Sequence, residues 1–240
     1  MPAKPPIVVA LAERLEDLLA ERLVAVVLGG SWSMGDFVEG RSDLDLLVVV
    51  SGELSPMELK RLAVLHETLL AEQPEAAQLE GDYVPREWLR PTGSLRAVPY
   101  FRRGRLEPRP ALMLSADNMA NMRQDGIAVF GPRPAELLPE VTAEAVREAV
   151  RAMLHDAPAA ATERAAAAEI LDLVRGLCAV ETGLPTSKSE GVRWALEHVA
   201  SRWHASVLRA DEIRRGATPI ENEATLRRAL ADMRAELLLA

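Results

Sequence analysis

The chain has 240 residues, 49% of them apolar, which is enough for one large domain or two smaller ones with buried cores. A formal net charge of −8 and a pI near 5.2 argue against bulk electrostatic attraction to nucleic acid or to an anionic membrane; they suit a cationic partner, and equally the ordinary need to stay soluble. The single cysteine, Cys178, excludes an internal disulfide, and only three of the 28 basic residues are lysines, Lys4, Lys60 and Lys188.

Pro5-Pro6 precedes a helix in which Val8, Leu11, Leu15, Leu18 and Leu19 recur at helical spacing with charges between them. Glu13, Arg14, Glu16 and Asp17 interrupt any signal-peptide core, and no run approaches the roughly 18 to 20 apolar residues that span a bilayer, so a soluble cytoplasmic protein is expected. Leu23 to Leu28 is a short apolar run ended by two glycines, as expected of a buried strand, and Asp45 to Val50 is a second. Ser55-Pro56 opens a helix with Leu59, Leu62, Leu65, Leu69 and Leu70 on one stripe. Ala76 to Val84, interrupted by Gly81, reads as a third strand; Arg86 to Pro110 reads as loops with a possible hairpin. Ser115 caps a short helix with Met119 and Met122, and Ile127 to Phe130 is a last small strand. After Pro139 strand signals vanish. Helices are expected over Thr142 to Leu154, Thr162 to Glu181, Ser187 to Ser201, Ser206 to Arg215 and Glu221 to Leu238. The division falls in the Gly131 to Pro139 stretch, giving a first domain over residues 1–135 and a helical domain over 136–240.

The chemistry concentrates between Val26 and Val50. On a strand, Asp43 and Asp45 project from the same side with α-carbons roughly 7 Å apart, so their carboxylates can converge on one or two hard cations such as Mg²⁺. One strand earlier, Gly29 and Gly30 allow a sharp turn and close backbone approach, and Ser31 begins a turn whose amides can hold phosphate. Metal carboxylates beside a phosphate cradle are what nucleotidyl transfer needs, together with a base for the attacking hydroxyl. The competing reading is a tight turn beside two solvated aspartates.

Gly30-Ser31, Gly35-Asp36-Phe37 and Arg41-Ser42-Asp43-Leu44-Asp45-Leu46-Leu47-Val48-Val49 resemble the signature of the nucleotidyltransferase superfamily, in its aminoglycoside adenylyltransferase branch. The resemblance implies an α/β (α+β) nucleotidyltransferase domain with a mixed sheet, followed by an all-α bundle, with ATP and Mg²⁺ as its ligands. Leu79-Glu80-Gly81-Asp82-Tyr83-Val84-Pro85 resembles the family's later strand, which makes Glu80 the expected general base and a third metal carboxylate beside Asp43 and Asp45; Asp82 shares its face and competes. Gly126 to Pro132, Arg175, Glu181-Thr182-Gly183 and Ser187-Lys188-Ser189 continue the match. By that resemblance Gly30, Ser31, Ser42 and Lys188 contact the nucleotide. A lysine in the first turn of a helix capped by Ser187 is unfavourable unless an anion is near, which suits a phosphate.

The acceptor the resemblance implies is a small hydroxyl compound, with an aminoglycoside such as streptomycin or spectinomycin as the family's example. The stretch where such enzymes carry acidic and tryptophan contacts offers here Glu163, with Glu169 and Asp172 further on, and no tryptophan, so another small hydroxyl compound competes. A nucleotidyltransferase that modifies protein or RNA, and a non-catalytic antitoxin-like partner-binding protein, are the alternatives from other classes. His66, His155, His198 and His204 lack ligand spacing for zinc. Trp32 either stacks on adenine or plugs its loop against the domain, and the plug is favoured.

Overall fold

The computed structural model describes residues 3–89, 97–110, 112–157, 159–219 and 224–238. The chain divides into two compact units, Met1–Val141 and Thr142–Ala240. The first opens with α1 (Pro6–Leu19), β1 (Leu23–Leu28) and a single helical turn α2 (Gly30–Ser33), then β2 (Leu44–Val50), α3 (Pro56–Glu72) and β3 (Leu79–Pro85). It continues through β4 (Ala97–Arg102), β5 (Arg105–Pro110), α4 (Ala116–Asp125), β6 (Ile127–Phe130) and the short α5 (Pro134–Leu137). Ser55 caps α3 in a reciprocal pair with Glu58, as its Ser-Pro start predicts.

The strands form one mixed sheet in the order β5-β4-β3-β2-β1-β6, with β2 and β3 parallel and the other pairs antiparallel. Alternation along β2 separates two cores. Leu44, Leu46, Val48 and Val50 face Leu11 and Leu15 of α1 and Leu62 and Leu69 of α3. Leu47 and Val49 face the other way, toward Met119 and Met122 of α4. The aspartates at the head of β2 belong to this second side by the period of two. In the middle of β3, Gly81 has no side chain because a Cβ there would lie 2.3 Å from the Leu46 carbonyl oxygen and 2.7 Å from the Phe101 ring. His66 hydrogen-bonds the Tyr83 hydroxyl at 2.8 Å and stacks on Phe101, and it is a core residue.

The hairpin in the Arg86 to Pro110 stretch is present as β4 and β5, with residues 90–96 outside the described set. The third strand begins at Leu79 rather than Ala76, because Pro74 to Gln78 close a 3-10 turn first.

The second unit comprises α6 (Ala143–Asp156), α7 (Glu163–Thr182), α8 (Lys188–His198), α9 (His204–Arg214) and α10 (Thr225–Leu237). The central α7 packs against the other four. Its buried side is built from Ala166, Ala167, Ile170, Leu171, Val174 and Cys178, where small residues admit neighbouring helices closely. The expected start of the last helix at Glu221 lies outside the described residues. Among the described residues no helix is long and apolar enough to cross a membrane.

Candidate active site

Because β1 and β2 run antiparallel, the end of β1 arrives beside the start of β2, and the Gly29 N–H donates to the Asp45 carbonyl at 2.9 Å. Gly30 follows with φ +60°, and a Cβ at this position would lie 1.9 Å from Asp45 Oδ2. Only glycine fits both the backbone conformation and the space. The Gly-Ser turn is thus laid directly against the second aspartate. The Gly30 N–H donates to Asn121 Oδ1 at 3.0 Å, fixing the turn to α4. The Ser31 carbonyl accepts from the Asp36 N–H at 2.8 Å, and Ser42 Oγ accepts from the Val38 N–H at 3.0 Å, which closes the loop leading to Asp43. Trp32 donates to the Ala3 carbonyl at 3.1 Å and meets Phe37 edge-on, so it plugs the loop.

The parallel ladder sets Asp45 directly beside Glu80 and Leu47 beside Asp82. Glu80 keeps 13% of its side chain exposed, whereas Asp82 is wholly buried. Asp82 Oδ2 accepts from the Met113 N–H at 3.0 Å. Burial lifts the Asp82 pKa to about 6, against the pull of the Met113 amide and of Arg109. Of the two competing carboxylates, Glu80 is the one that reaches the protein surface.

Two arginines, which nothing in the Asp-x-Asp signature announces, complete the cluster. Arg102 lies opposite Glu80 in the β3–β4 ladder. Its Nε is 3.0 Å from Glu80 Oε2, and its Nη2 donates to Asp43 Oδ2 at 2.8 Å. Desolvation works against the Arg102 charge, but Glu80 and Asp43 outweigh it and raise its pKa. Arg109 of β5 places Nη2 3.4 Å from Glu80 Oε1 and Nε 3.7 Å from Asp82 Oδ1, with its guanidinium 3.2 Å from the Tyr100 ring centroid. Burial and the neighbouring Glu80 push the Tyr100 hydroxyl well up from its ordinary value. The period of two through Val98, Tyr100 and Arg102 is the only sequence signal that this arginine shares a face with the acids.

The chemistry of the donor set fits a hard divalent cation, since Asp43 and Asp45 offer carboxylate oxygens and Gly30, lacking a side chain, puts only backbone against one of them. Among the described residues, however, no three His, Cys, Asp or Glu side chains are gathered into a metal cage. Between Asp43 and Glu80 the cation in place is the Arg102 guanidinium.

In the helical unit, Lys188 opens α8. Ser187 Oγ accepts from the Glu190 N–H at 3.2 Å, and Glu190 Oε2 accepts from the Ser187 N–H at 2.9 Å. The anion beside Lys188 is Asp172, 3.4 Å away, which also binds Arg175 at 2.8 Å. Glu163, expected as an acceptor contact, is buried and accepts from the N–H groups of Leu226 and Arg227 at 2.7 and 3.2 Å, anchoring the start of α10. Glu169 accepts from Arg234 at 2.6 Å.

Residues 9–111 match the family model described as the nucleotidyltransferase domain. Residues 136–238 match the one described as the aminoglycoside adenylyltransferase, C-terminal domain. Among solved structures the chain is similar to the spectinomycin adenyltransferase AAD(9) from Enterococcus faecialis, determined with ATP and spectinomycin. The TM-score is 0.72 at 15% sequence identity, over 96% of this chain and 98% of that one. Comparison with curated protein sequences found no match. The mixed sheet carries the Gly-Ser turn and the Asp-x-Asp pair, an all-α domain follows it in the chain, and the family models matched over both make this chain a nucleotidyltransferase. Within that class it is an aminoglycoside adenylyltransferase-like enzyme.

Proposed function

We propose that the protein moves AMP from ATP to a hydroxyl group of a small-molecule acceptor and releases pyrophosphate. The observation that carries this reading is the parallel register that sets Asp45 beside Glu80 while Gly30 abuts the same Asp45. Asp43 and Asp45, with Glu80 as a third carboxylate, are the residues that would hold Mg²⁺, and the bound ion supplies charge neutralisation at the triphosphate. Gly30 and Ser31 bring backbone close enough to orient the terminal phosphates, the Ser42 hydroxyl holds the loop that presents Asp43, and Lys188 contributes positive charge to the phosphates. Glu80 takes the proton from the acceptor hydroxyl. The oxygen then attacks the α-phosphorus, the bond from that phosphorus to the β-bridging oxygen breaks, and pyrophosphate departs. Complete burial of Asp82 supports Glu80 as the base.

An aminoglycoside is the first acceptor class to test, because the helical half matches that family's C-terminal domain. The AAD(9) structure, whose bound drug is spectinomycin, makes that compound a natural first member of the panel. A second reading, with a different small hydroxyl compound as acceptor, is favoured by the engagement of Glu163 and Glu169 within the helical domain, which withdraws two acidic groups from a cationic drug. Incubation with Mg²⁺-ATP and a panel of aminoglycosides, followed by pyrophosphate release and by the mass gain of one AMP on the product, separates the two. Adenylation of a panel member establishes the first reading. Nucleotide binding without any adenylated drug leaves the second.

A further inference from the structure

Arg102 is the last residue of β4, immediately before the Arg103-Gly104 turn, whose backbone is left-handed at both positions (φ +49° and +75°). This turn delivers the guanidinium to the end of the sheet where β2 begins, so that one side chain engages Glu80 on the adjacent strand and Asp43 one strand further. Its two donors meet the same two carboxylates that the proposed function assigns to metal and to the base. Arg109 meets the other oxygen of Glu80, and its guanidinium is pinned over Tyr100. Both carboxylate oxygens of Glu80 therefore carry a guanidinium, and neither is open to an acceptor hydroxyl in this arrangement. The two arginines are held differently. The Arg102 side chain is 45% exposed and that of Arg109 21%, so Arg102 is the one that can leave at little cost.

We infer that Arg102 is a resident cation of the site, bridging Asp43 and Glu80 in the nucleotide-free protein, and that a divalent metal and Arg102 exclude one another there. A guanidinium lying between two carboxylates occupies the oxygens and the space that a shared metal needs, and an exposed ion pair is weak enough for a divalent charge to displace. Departure of Arg102 frees Glu80 Oε2, while Arg109 stays on Oε1. Filling the metal site and removing Arg102 from Asp43 and Glu80 thus become one event. Arg102 acts here as a positioning residue, through the carboxylates it covers. The inference rests on the assignment of Asp43 and Glu80 as metal carboxylates.

The test is Mn²⁺ binding without nucleotide, read by electron paramagnetic resonance of the free ion, for the full chain, Arg102→Gln, Asp43→Asn and the double variant. Arg102→Gln is expected to bind Mn²⁺ roughly five- to tenfold more tightly than the parent, and adding Asp43→Asn should remove the gain. An Arg102→Gln affinity equal to the parent's, with Asp43→Asn weakening both, overturns the inference and leaves the metal assignment standing. Mn²⁺ binding indifferent to Asp43→Asn in either background overturns the metal assignment itself. In the unmutated protein, the ¹⁵N signal of the Arg102 guanidinium, identified by its loss in Arg102→Lys, should shift on titration with Mg²⁺. A signal that does not move is a second contradicting result, read on the unmutated protein.

Discussion

Lys188 and Asp172 form an ion pair within the helical domain, Nζ to Oδ1 at 3.4 Å, with Arg175 on the same carboxylate oxygen. Desolvation alone would raise the Asp172 pKa, but the two cations hold it below the usual carboxylate range. A lysine at the start of a helix faces an unfavourable dipole, and Asp172 relieves it. The pair does not exhaust the lysine, whose ammonium has three donors and can turn to an incoming phosphate. Lys188→Ala should weaken ATP binding by roughly tenfold or more, since a charge-assisted contact is worth about 1.5 to 3 kcal/mol. Calorimetry giving an unchanged affinity would remove Lys188 from the site and leave it as the partner of Asp172.

Gly30→Ala places a Cβ against Asp45 Oδ2 and forces a side chain into the left-handed region. The backbone term alone costs about 1 to 2 kcal/mol. Denaturant unfolding should show at least that loss, and metal-dependent transfer should fall further than stability does, because Asp45 must move. Retention of full activity would mean that the Gly30 turn is not part of the site.

Glu163 tests whether the acidic residues of α7 serve the acceptor or the fold. Its carboxylate is buried against the start of α10 and bonds two backbone N–H groups. Glu163→Gln should destabilise the protein by about 3 kcal/mol, the scale of breaking a buried charged pair. At temperatures where the variant is folded, KM for the acceptor should be unchanged; a raised KM with unaltered stability would return Glu163 to the acceptor site.

His66 supplies a pH dependence. Burial between Tyr83 and Phe101 lowers its pKa from 6.5 to about 4, so the unfolded chain binds a proton in this range that the folded one does not. The stability associated with neutral His66 is complete above pH 6.5 and is lost as pH falls through 4, by up to about 3 kcal/mol. His66→Gln keeps a hydrogen-bonding group for Tyr83 and cannot titrate. Denaturation between pH 4 and 7 should give a slope for the parent that this variant lacks, after correction for the carboxylates common to both.

The sheet and the helices were legible where local physics determines them. Valine runs bounded by glycines predict β1 and β2, and the Ser55-Pro56 and Thr142 starts predict their helices, each with the side-chain cap observed. The β4–β5 hairpin was legible only as a possibility, because Pro99, Pro108 and Pro110 argue against strands. They are tolerated because β5 is an edge strand and because β4 pairs with β3 only over Tyr100 to Arg102, beyond Pro99. For the same reason Arg102 and Arg109 could not be placed in the site: their partners come from strands 22 to 59 residues away, in a register no local pattern encodes. Asn121 behaves alike, since its bond to the Gly30 N–H spans 91 residues. Glu163 and Lys188 show the converse. Their local sequence suggests a ligand contact, and the structure gives each a partner inside its own domain.

The central claim is that the carboxylates heading β2 hold the metal for nucleotidyl transfer, and Asp43→Ala tests it most directly. Asp43 is at the protein surface and its visible partner is the exposed Arg102, so the variant should fold with a thermal midpoint close to the parent's. With Mg²⁺-ATP and an acceptor that the parent adenylates, pyrophosphate release should fall by about 10³-fold or more. A folded Asp43→Ala protein that adenylates the acceptor at the parent's rate would contradict the account.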